Sequence, residues 1–350
     1  MLFSNKSIIG LDIGSRNIKA IQLKETKDVY TLERLGITSL DPELIVDGSI
    51  LDSTRVVEAI KELVLTTDIK AKNTTLSVSG HSSVIIKRIT LPEVSEDELS
   101  ESINFEAEQY IPFDIEDVML DFQILGLAEE EGMMEVLIVA VKRDKINEYV
   151  SVVKEAGLVP AVVDIDSFAL ENMHELNYEF KEEANVALVN VGASMININI
   201  IKGGMSVFTR DSSVGGNLYT EALQREFSIS FEDAERLKEE GEIEAISMEM
   251  ADPILNIASD EIVIDISRSF DYFRDTTNYE NIDEIILSGG VALIKDFPSF
   301  LAEKTGISVS VAQPFNNINV PASFDSEYIK KIEPLMAVAV GLALRQEGDK

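Results

Sequence analysis

Two short glycine turns hold the residues of this sequence that best suit binding of a polyphosphate. The first turn reads DIGSRNIK from Asp12, and the second reads NVGAS from Asn190. Glycine has no side chain, so the main-chain N–H groups of such turns approach phosphate oxygens closely. A carboxylate such as Asp12 suits hydrated Mg²⁺, which prefers one or two carboxylates together with water and phosphate. The candidate phosphate-contacting residues are Gly14, Ser15, Asn17, Lys19, Gly192, Ala193 and Ser194.

Each turn is predicted to join two strands. An apolar run precedes each turn and an alternating apolar run follows it, which is the pattern of a β-hairpin. An offset of 178 residues superimposes LDIG at 11–14 on VNVG at 189–192. This weak internal duplication predicts two similar α/β domains. Taken alone, the DIGS tetrapeptide is more typical of a plain hairpin turn than of a phosphate loop.

The predicted organisation is a first domain over residues 1–165 and a second over 166–350. A segment of different character, residues 86–160, is predicted to be an α+β subdomain inserted into the first domain. It opens with Ser95 and Glu98, spaced as a helix capping box, and continues with two alternating strands and a second helix. The YIPF sequence at 110–113 either packs in the core of this insert or forms an edge to which a peptide binds.

Composition excludes several classes of function. The 350 residues carry a net charge of −33, which repels nucleic-acid phosphate, so nucleic acid is not an expected partner. Cysteine is absent, so disulfides and thiolate catalysis are excluded, and a reducing cytosol is consistent with this. The apolar runs are much shorter than the ~20 residues of a membrane span. We therefore expect a cytoplasmic protein without a membrane span.

Further motifs follow in an order that resembles the actin/hexokinase/DnaK-type ATPase superfamily. The two turns resemble its phosphate loops, and LSGG at 287–290 resembles its adenosine motif. Residues 163–172 and 334–344 resemble its two connecting helices. The resemblance implies a duplicated ribonuclease H-like fold that binds ATP and Mg²⁺ between its domains. It also implies that Glu235 and Lys238, in AERLK at 234–238, contact the ribose and base, and that Gly289 and Gly290 contact the adenosine.

Within this superfamily the chain is similar to the PilM family of type IV pilus assembly. The similarity rests on DIGSRNIK, on FEAEQYIPF at 105–113, on DIDSFALEN at 164–172, and on FTRDSSVGGN at 208–217, which adds Gly215 and Gly216 to the nucleotide site. The family resemblance implies an ATP-binding scaffold or switch. Its partner is the short cytoplasmic N-terminal tail of a PilN-like protein, and through it the inner-membrane pilus platform, so the protein is peripheral at that membrane. Self-association is also compatible with this resemblance.

One departure from the superfamily bears on catalysis. Many relatives have Asp where this chain has Asn190, and an amide has no charge with which to hold a Mg²⁺-bound water or accept its proton. Asn190 is therefore a weak candidate for the metal site. Asp164, at the start of the first connecting helix, aligns with the water-positioning residue, and Asp166 is a second candidate. We expect ATP binding with slow hydrolysis.

Two other functions belong to the same superfamily. An FtsA-like, filament-forming division protein is expected to end in an amphipathic membrane helix, which the last residues, LRQEGDK, do not resemble. A small-molecule kinase requires a catalytic base and a substrate pocket in the first domain, and no motif indicates them.

Overall fold

The framework is a pair of mixed β-sheets. The computed structural model describes residues 8–80, 82–243, 246–277, 279, 281–346 and 348. The strands in chain order are β1 (Ile9–Ile13), β2 (Asn17–Thr26), β3 (Val29–Ser39), β4 (Ile45–Val46), β5 (Ser49–Ile50), β6 (Asn73–Val78), β7 (Val84–Pro92), β8 (Val118–Leu127), β9 (Met133–Lys142), β10 (Val159–Ile165), β11 (Asn185–Val191), β12 (Ile196–Lys202), β13 (Met205–Ser212), β14 (Glu242–Ile243), β15 (Ile246–Ser247), β16 (Glu284–Ser288), β17 (Ser308–Val311) and β18 (Ile318–Asn319). The helices are α1 (Ser53–Thr66), α2 (Glu96–Glu108), α3 (Arg143–Glu155), α4 (Asp166–Asn177), α5 (Asn217–Phe227), α6 (Phe231–Glu240), α7 (Met248–Thr276), α8 (Phe297–Thr305), α9 (Ser326–Ile332) and α10 (Ala337–Leu344), with short 3₁₀ helices at Ile115–Asp117, Gly290–Leu293 and Glu333–Met336.

The two sheets share one strand arrangement. The first has the order β10-β6-β1-β2-β3 with β18 added at its edge, and the second has the order β17-β16-β11-β12-β13. In the first hairpin Asp12 pairs with Lys19, and in the second Asn190 pairs with Asn197, so the offset of 178 residues holds on both strands. Parallel neighbours β6 and β16 flank β1 and β11. The predicted duplication is therefore present in topology and in register.

Two helices lie between the sheets and bring them together. Helix α10 packs on β1, β2 and α4, and α4 packs also on β10 and β12. Residues from both sheets and both helices, such as Ile21, Leu170 and Val340, share one buried cluster. A Cβ on Gly341 would lie 1.7 Å from the carbonyl oxygen of Ala169, so glycine permits the close approach of α10 to α4. This packing fixes the relative position of the two hairpin tips.

The insert is smaller than the predicted residues 86–160. Strands β7, β9 and β8 form a three-stranded sheet whose buried side chains pack against those of α2, which begins with the predicted Ser95–Glu98 capping box. Helix α3, however, packs on α1, and β10 pairs with β6 of the first sheet. Residues 143–160 therefore belong to the first core. Ile111 is buried in the insert's own cluster, which favours the core interpretation of the YIPF sequence at that position.

The predicted connecting helices begin later than expected. Residues 163–165 pair with Leu76–Val78 as the end of β10, and α4 begins only at Asp166. The segment at 334–344 starts as a 3₁₀ turn before α10. In the described part of the chain, no helix is both long and apolar enough to cross a membrane.

Candidate functional site

The two hairpin tips meet across an interdomain cleft of about 450 Å³. Each tip is closed by the same hydrogen bond: Gly14 N–H donates to the carbonyl of Asn17 (3.1 Å), and Gly192 N–H to that of Met195 (2.8 Å). Between the tips, Ser15 Oγ and Ser194 Oγ lie 2.7 Å apart. The first domain and the second domain thus present equivalent glycine turns to one space.

Nearly all of the sequence-predicted site residues line this cleft. Those that do are Asp12, Gly14, Ser15, Asn17, Lys19, Asn190, Gly192, Ala193, Ser194, Gly216, Glu235, Lys238, Gly289 and Gly290. Gly215 supports the second tip from behind, since a Cβ there would lie 2.6 Å from the Ala193 carbonyl oxygen. Asp164 does not line the cleft.

Carboxylates cluster at the first tip. Asp12 is ion-paired to its cross-strand neighbour Lys19, with Nζ 2.9 Å from Oδ2. Asp166, the first residue of α4, accepts a 2.5 Å hydrogen bond from Ser77 Oγ. Burial raises the pKa of Asp166 to about 6, and the negative charge of Asp12 adds to this rise. Both acids line the cleft, and the charge of one disfavours ionisation of the other.

A chain of polar side chains holds the second hairpin. Asn190 Nδ2 donates to Asn197 Oδ1 (3.1 Å), and Asn197 Nδ2 donates to Asp211 Oδ1 (2.9 Å). Asp211 Oδ2 also accepts from the main-chain N–H of Gly80 (2.7 Å), which joins the second domain to the first. Sequence reasoning missed Asn197 and Asp211. The 178-residue offset would have found Asn197, because it occupies the position equivalent to Lys19.

The other end of the cleft is built around α6. Glu235 accepts hydrogen bonds from Thr220 Oγ1 and from Lys238 Nζ. Arg16, at the first hairpin tip, reaches over the Phe231 ring and places Nε 3.5 Å from Glu235 Oε2. Arg16 was also missed by sequence reasoning, because only the fold brings it to α6.

Gly289 begins the turn predicted as the adenosine motif. Its φ of +87° is unfavourable for other residues, and a Cβ there would lie 2.3 Å from the Val191 carbonyl oxygen. Gly290 follows in the 3₁₀ helix that borders the cleft. This end of the cleft offers main chain and apolar side chains, including Leu335 and Val338.

The prediction that Asp164 orients water in the cleft is not supported by its position. Asp164 is buried on the far side of the β10–α4 turn, where its Oδ2 lies 3.1 Å from Arg345 Nε and its Oδ1 accepts from Ile165 N–H. The chain turns from strand to helix between Asp164 and Asp166, so the two side chains lie in different cavities. Of the two candidates that the sequence offered, Asp166 is the one in the cleft.

Asp164 instead borders a second cavity, which we call the groove, of about 640 Å³ between the insert and the first core. One wall is the sheet face of β8 and β9, including Met119 and Val139, and the other is α4, including Phe168 and Glu171. The turn between β12 and β13 closes one end. The groove combines apolar side chains of the sheet with polar side chains of α4.

Comparison with known proteins identifies the family. The family model for type IV pilus assembly protein PilM matches residues 10–347. The chain belongs to the PilM family of type IV pilus assembly proteins. It is also similar to a solved structure described as a PilM-PilN type IV pilus biogenesis complex, at 26% identity over 97% of this chain and 98% of that one, with a TM-score of 0.84.

More distant structures show the fold. Ethanolamine utilization protein EutJ from Carboxydothermus hydrogenoformans is 14% identical, covers 97% of this chain and 89% of its own, and has a TM-score of 0.58. MreB5 of Spiroplasma citri, solved bound to ADP, is 15% identical, covers 96% and 95%, and has a TM-score of 0.55. The actin-like ATPase fold predicted from the sequence is confirmed.

Proposed function

We propose that the chain is an ATP-binding scaffold of type IV pilus assembly that docks the N-terminal tail of a PilN-like inner-membrane protein. Family membership supports the role in pilus assembly. The observation that carries the nucleotide part is the meeting of two equivalent glycine turns at Ser15 and Ser194, 2.7 Å apart. A polyphosphate bound at these tips would receive main-chain N–H groups from both domains.

The residues at the first tip fit Mg²⁺ that is bound together with ATP. Asp12 supplies a hard carboxylate oxygen, which Mg²⁺ prefers. Among the residues that the structure describes, no group of three or more His, Cys, Asp or Glu side chains is arranged to hold a metal alone. Phosphate oxygens and water would complete the coordination of a bound Mg²⁺. Asn190 contributes no charge, and its amide oxygen already accepts from Ser288 Oγ (3.3 Å).

The α6 end of the cleft suits the nucleoside. Glu235 and Lys238 hold each other in place at the cleft wall and present polar atoms to a ribose. The main chain of Gly289 and Gly290 is accessible to an adenine, with Leu335 and Val338 as apolar neighbours. Arg16 links this end to the first hairpin tip, so a bound nucleotide contacts both domains along its whole length.

Hydrolysis in this site is slow. A γ-phosphate needs an attacking water held in line and a group that orients it. Asp166 is the carboxylate in the cleft that suits this role, and its raised pKa near 6 leaves it able to accept a proton near neutral pH. The second hairpin offers only the Asn190 amide. ATP is therefore mainly a structural ligand that sets the arrangement of the two domains.

The groove is the docking site for the tail. It lies beside the insert and is open along β8, and its size suits a few residues of extended peptide. The similar structure at 26% identity is described as a PilM-PilN complex, which supports a PilN-like partner for this chain. A tail that orders on binding loses conformational entropy, so a few apolar anchors in the groove supply most of the affinity.

A fluorescence titration tests the docking. The probe is a labelled peptide of the N-terminal cytoplasmic segment of the PilN homologue from the same organism. Met119→Lys, 47% exposed in the groove wall, removes an apolar contact and repels a basic tail, and is expected to weaken binding by tenfold or more. Leu127→Lys, 73% exposed at the end of the same strand and outside the groove, is the matched control and is expected to bind like wild type. Equal affinities for all three proteins would place the tail elsewhere.

A further inference from the structure

The groove is acidic. Its lining includes Asp121 from β8, Asp164 from β10, and Glu171 and Glu175 from α4. Arg345 is the one basic side chain among its described lining residues, and it is already paired with Asp164. Cytoplasmic segments next to a membrane span carry an excess of Lys and Arg. The charge of the groove and the expected charge of a cytoplasmic tail are therefore complementary.

One face of α4 supplies the groove's most specific groups. Phe168, Glu171, Asn172 and Glu175 are spaced three and four residues apart, so they lie on the same side of the helix. Phe168 is apolar, Glu175 is exposed at the rim, and the two residues between them are polar and largely enclosed. This face of α4 is suited to binding one side chain of a peptide together with the adjacent main chain of that peptide.

Glu171 is a carboxylate held in place within the protein. Its Oε2 accepts a 3.0 Å hydrogen bond from Asn199 Nδ2. Burial raises the pKa of Glu171 to about 7, and the negative charges of Glu175 and Asp164 add to the rise. No basic side chain of the described structure forms an ion pair with Glu171 within 4.0 Å. Glu171 is thus a carboxyl group held in a fixed position without a cationic partner, and a cation beside it would favour its ionised form.

Asn172 adds an unused donor next to it. Its Nδ2 is buried and makes no hydrogen bond to any described residue. A buried donor left unpaired costs free energy, which a carbonyl oxygen from a bound peptide recovers. An extended peptide offers such carbonyls at regular spacing along its main chain.

We infer that the docked tail inserts a lysine or arginine whose cationic group pairs with Glu171, while Asn172 Nδ2 donates to a main-chain carbonyl of the tail. The inference rests on the proposed docking of a tail in the groove. The apolar side chains that flank this basic residue pack against Phe168 on one wall and Val139 on the other. Glu171 and Asn172 are thereby specificity-determining residues for the partner.

A double-mutant cycle tests the pairing. The full chain and Glu171→Gln are titrated with the PilN-homologue tail peptide and with peptides in which each Lys or Arg in turn is replaced by Gln. One of these peptide replacements is expected to lower the affinity for wild type by about tenfold or more. The same replacement is expected to change the affinity for Glu171→Gln little. Glu175→Gln, at the exposed rim, is the control and is expected to change affinity less than threefold.

The pH dependence provides an independent readout. Glu171 must be ionised to pair with the cation, so wild-type affinity is expected to fall as the pH is lowered from 8 to 6, and Glu171→Gln is expected to lose most of this dependence. The other charged groups facing Glu171 are Asp121, Asp164, Glu175 and Arg345. The β12 and β13 strands contribute the uncharged Asn199 and Ser206.

The outcomes separate the inference from the docking itself. If Glu171→Gln binds the native tail as tightly as wild type, or if every peptide loses affinity equally in both proteins, the pairing is wrong while the docking stands. If the tail does not bind wild type, both the proposed docking and the inferred pairing are wrong. A cooperative unfolding transition and an unchanged ATP affinity of Glu171→Gln confirm that the variant is folded.

Discussion

Ser15 Oγ lies 2.7 Å from Ser194 Oγ, although the two residues are 179 positions apart in the chain. This contact joins the tips of two hairpins that have the same turn hydrogen bond and the same register. A ligand that enters between the tips must contact both domains. Its binding free energy is therefore linked to the relative position of the domains.

We expect Asp166→Asn to slow hydrolysis without preventing ATP binding. The amide keeps a hydrogen bond with Ser77 but cannot accept a proton from the attacking water. Orienting and proton-accepting groups contribute about 10²–10⁴-fold, so single-turnover hydrolysis should fall by a factor in that range. The measurement is release of labelled phosphate with the protein in excess over ATP, and the affinity for ATP is determined in parallel.

Asp164→Asn is the matched control for this experiment. It lies two residues away but faces the groove and pairs with Arg345, so its hydrolysis rate should equal that of wild type. If hydrolysis were slow in Asp164→Asn and normal in Asp166→Asn, the assignment of Asp166 as the water-orienting residue would be wrong.

Asn190→Asp tests whether the lack of a carboxylate at residue 190 of the second hairpin limits the rate of ATP hydrolysis. The new carboxylate is expected to speed single-turnover hydrolysis about tenfold, because it adds a charged group near the water that the proposed Mg²⁺ would hold. It also places an oxygen 3.1 Å from Asn197 Oδ1, where Asn190 Nδ2 now donates. Loss of this hydrogen bond should lower the free energy of unfolding by about 1–3 kcal/mol. A stable variant with an unchanged rate would show that residue 190 only closes the turn.

Two buried acids make stability depend on pH. Burial raises the pKa of Asp166 from 3.8 to about 6 and that of Glu171 from 4.5 to about 7. The folded state therefore binds these protons more tightly than the unfolded state. Their stabilising contribution is complete below about pH 4 and is lost as the pH rises through 6 and 7.

Removing either charge should flatten this dependence. In urea unfolding without nucleotide, Asp166→Asn and Glu171→Gln should gain stability relative to wild type between pH 4 and pH 8, on the order of 2 kcal/mol each. Glu175 is exposed, so the free energy of unfolding of Glu175→Gln should depend on pH in the same way as that of wild type. If the free energy of unfolding depended on pH in the same way in all four proteins, the raised pKa values would be contradicted.

The hairpins and their duplication were predictable because they are local features. Alternating apolar residues around a glycine turn define each hairpin, and the 178-residue offset relates them without reference to contacts. The capping box of Ser95 and Glu98 was predictable for the same reason. The glycine turns therefore identified most of the cleft.

The remaining residues of the site depend on packing between distant segments. Whether Asp164 or Asp166 faces the cleft is decided by where β10 ends, which depends on its pairing with β6. Residues 143–160 resembled part of the insert because the sequence shows an amphipathic helix but not the surface it covers. Asp211 and Arg16 reach the site only through strand pairing and the approach of α6.

The most direct test of this account is a calorimetric titration of ATP with Mg²⁺ into wild type and Gly192→Val. A Cβ at residue 192 meets only the Met195 carbonyl oxygen, at 3.3 Å, so the valine side chain projects into the phosphate space without a φ that disfavours it. Wild type should bind one ATP per chain, with affinity reduced when Asp12 is replaced by alanine, and its melting temperature should rise by mass action. Gly192→Val should remain folded and show no binding. Wild type that is indifferent to ATP and ADP, or Gly192→Val that binds ATP as wild type does, would contradict a nucleotide site between the hairpin tips.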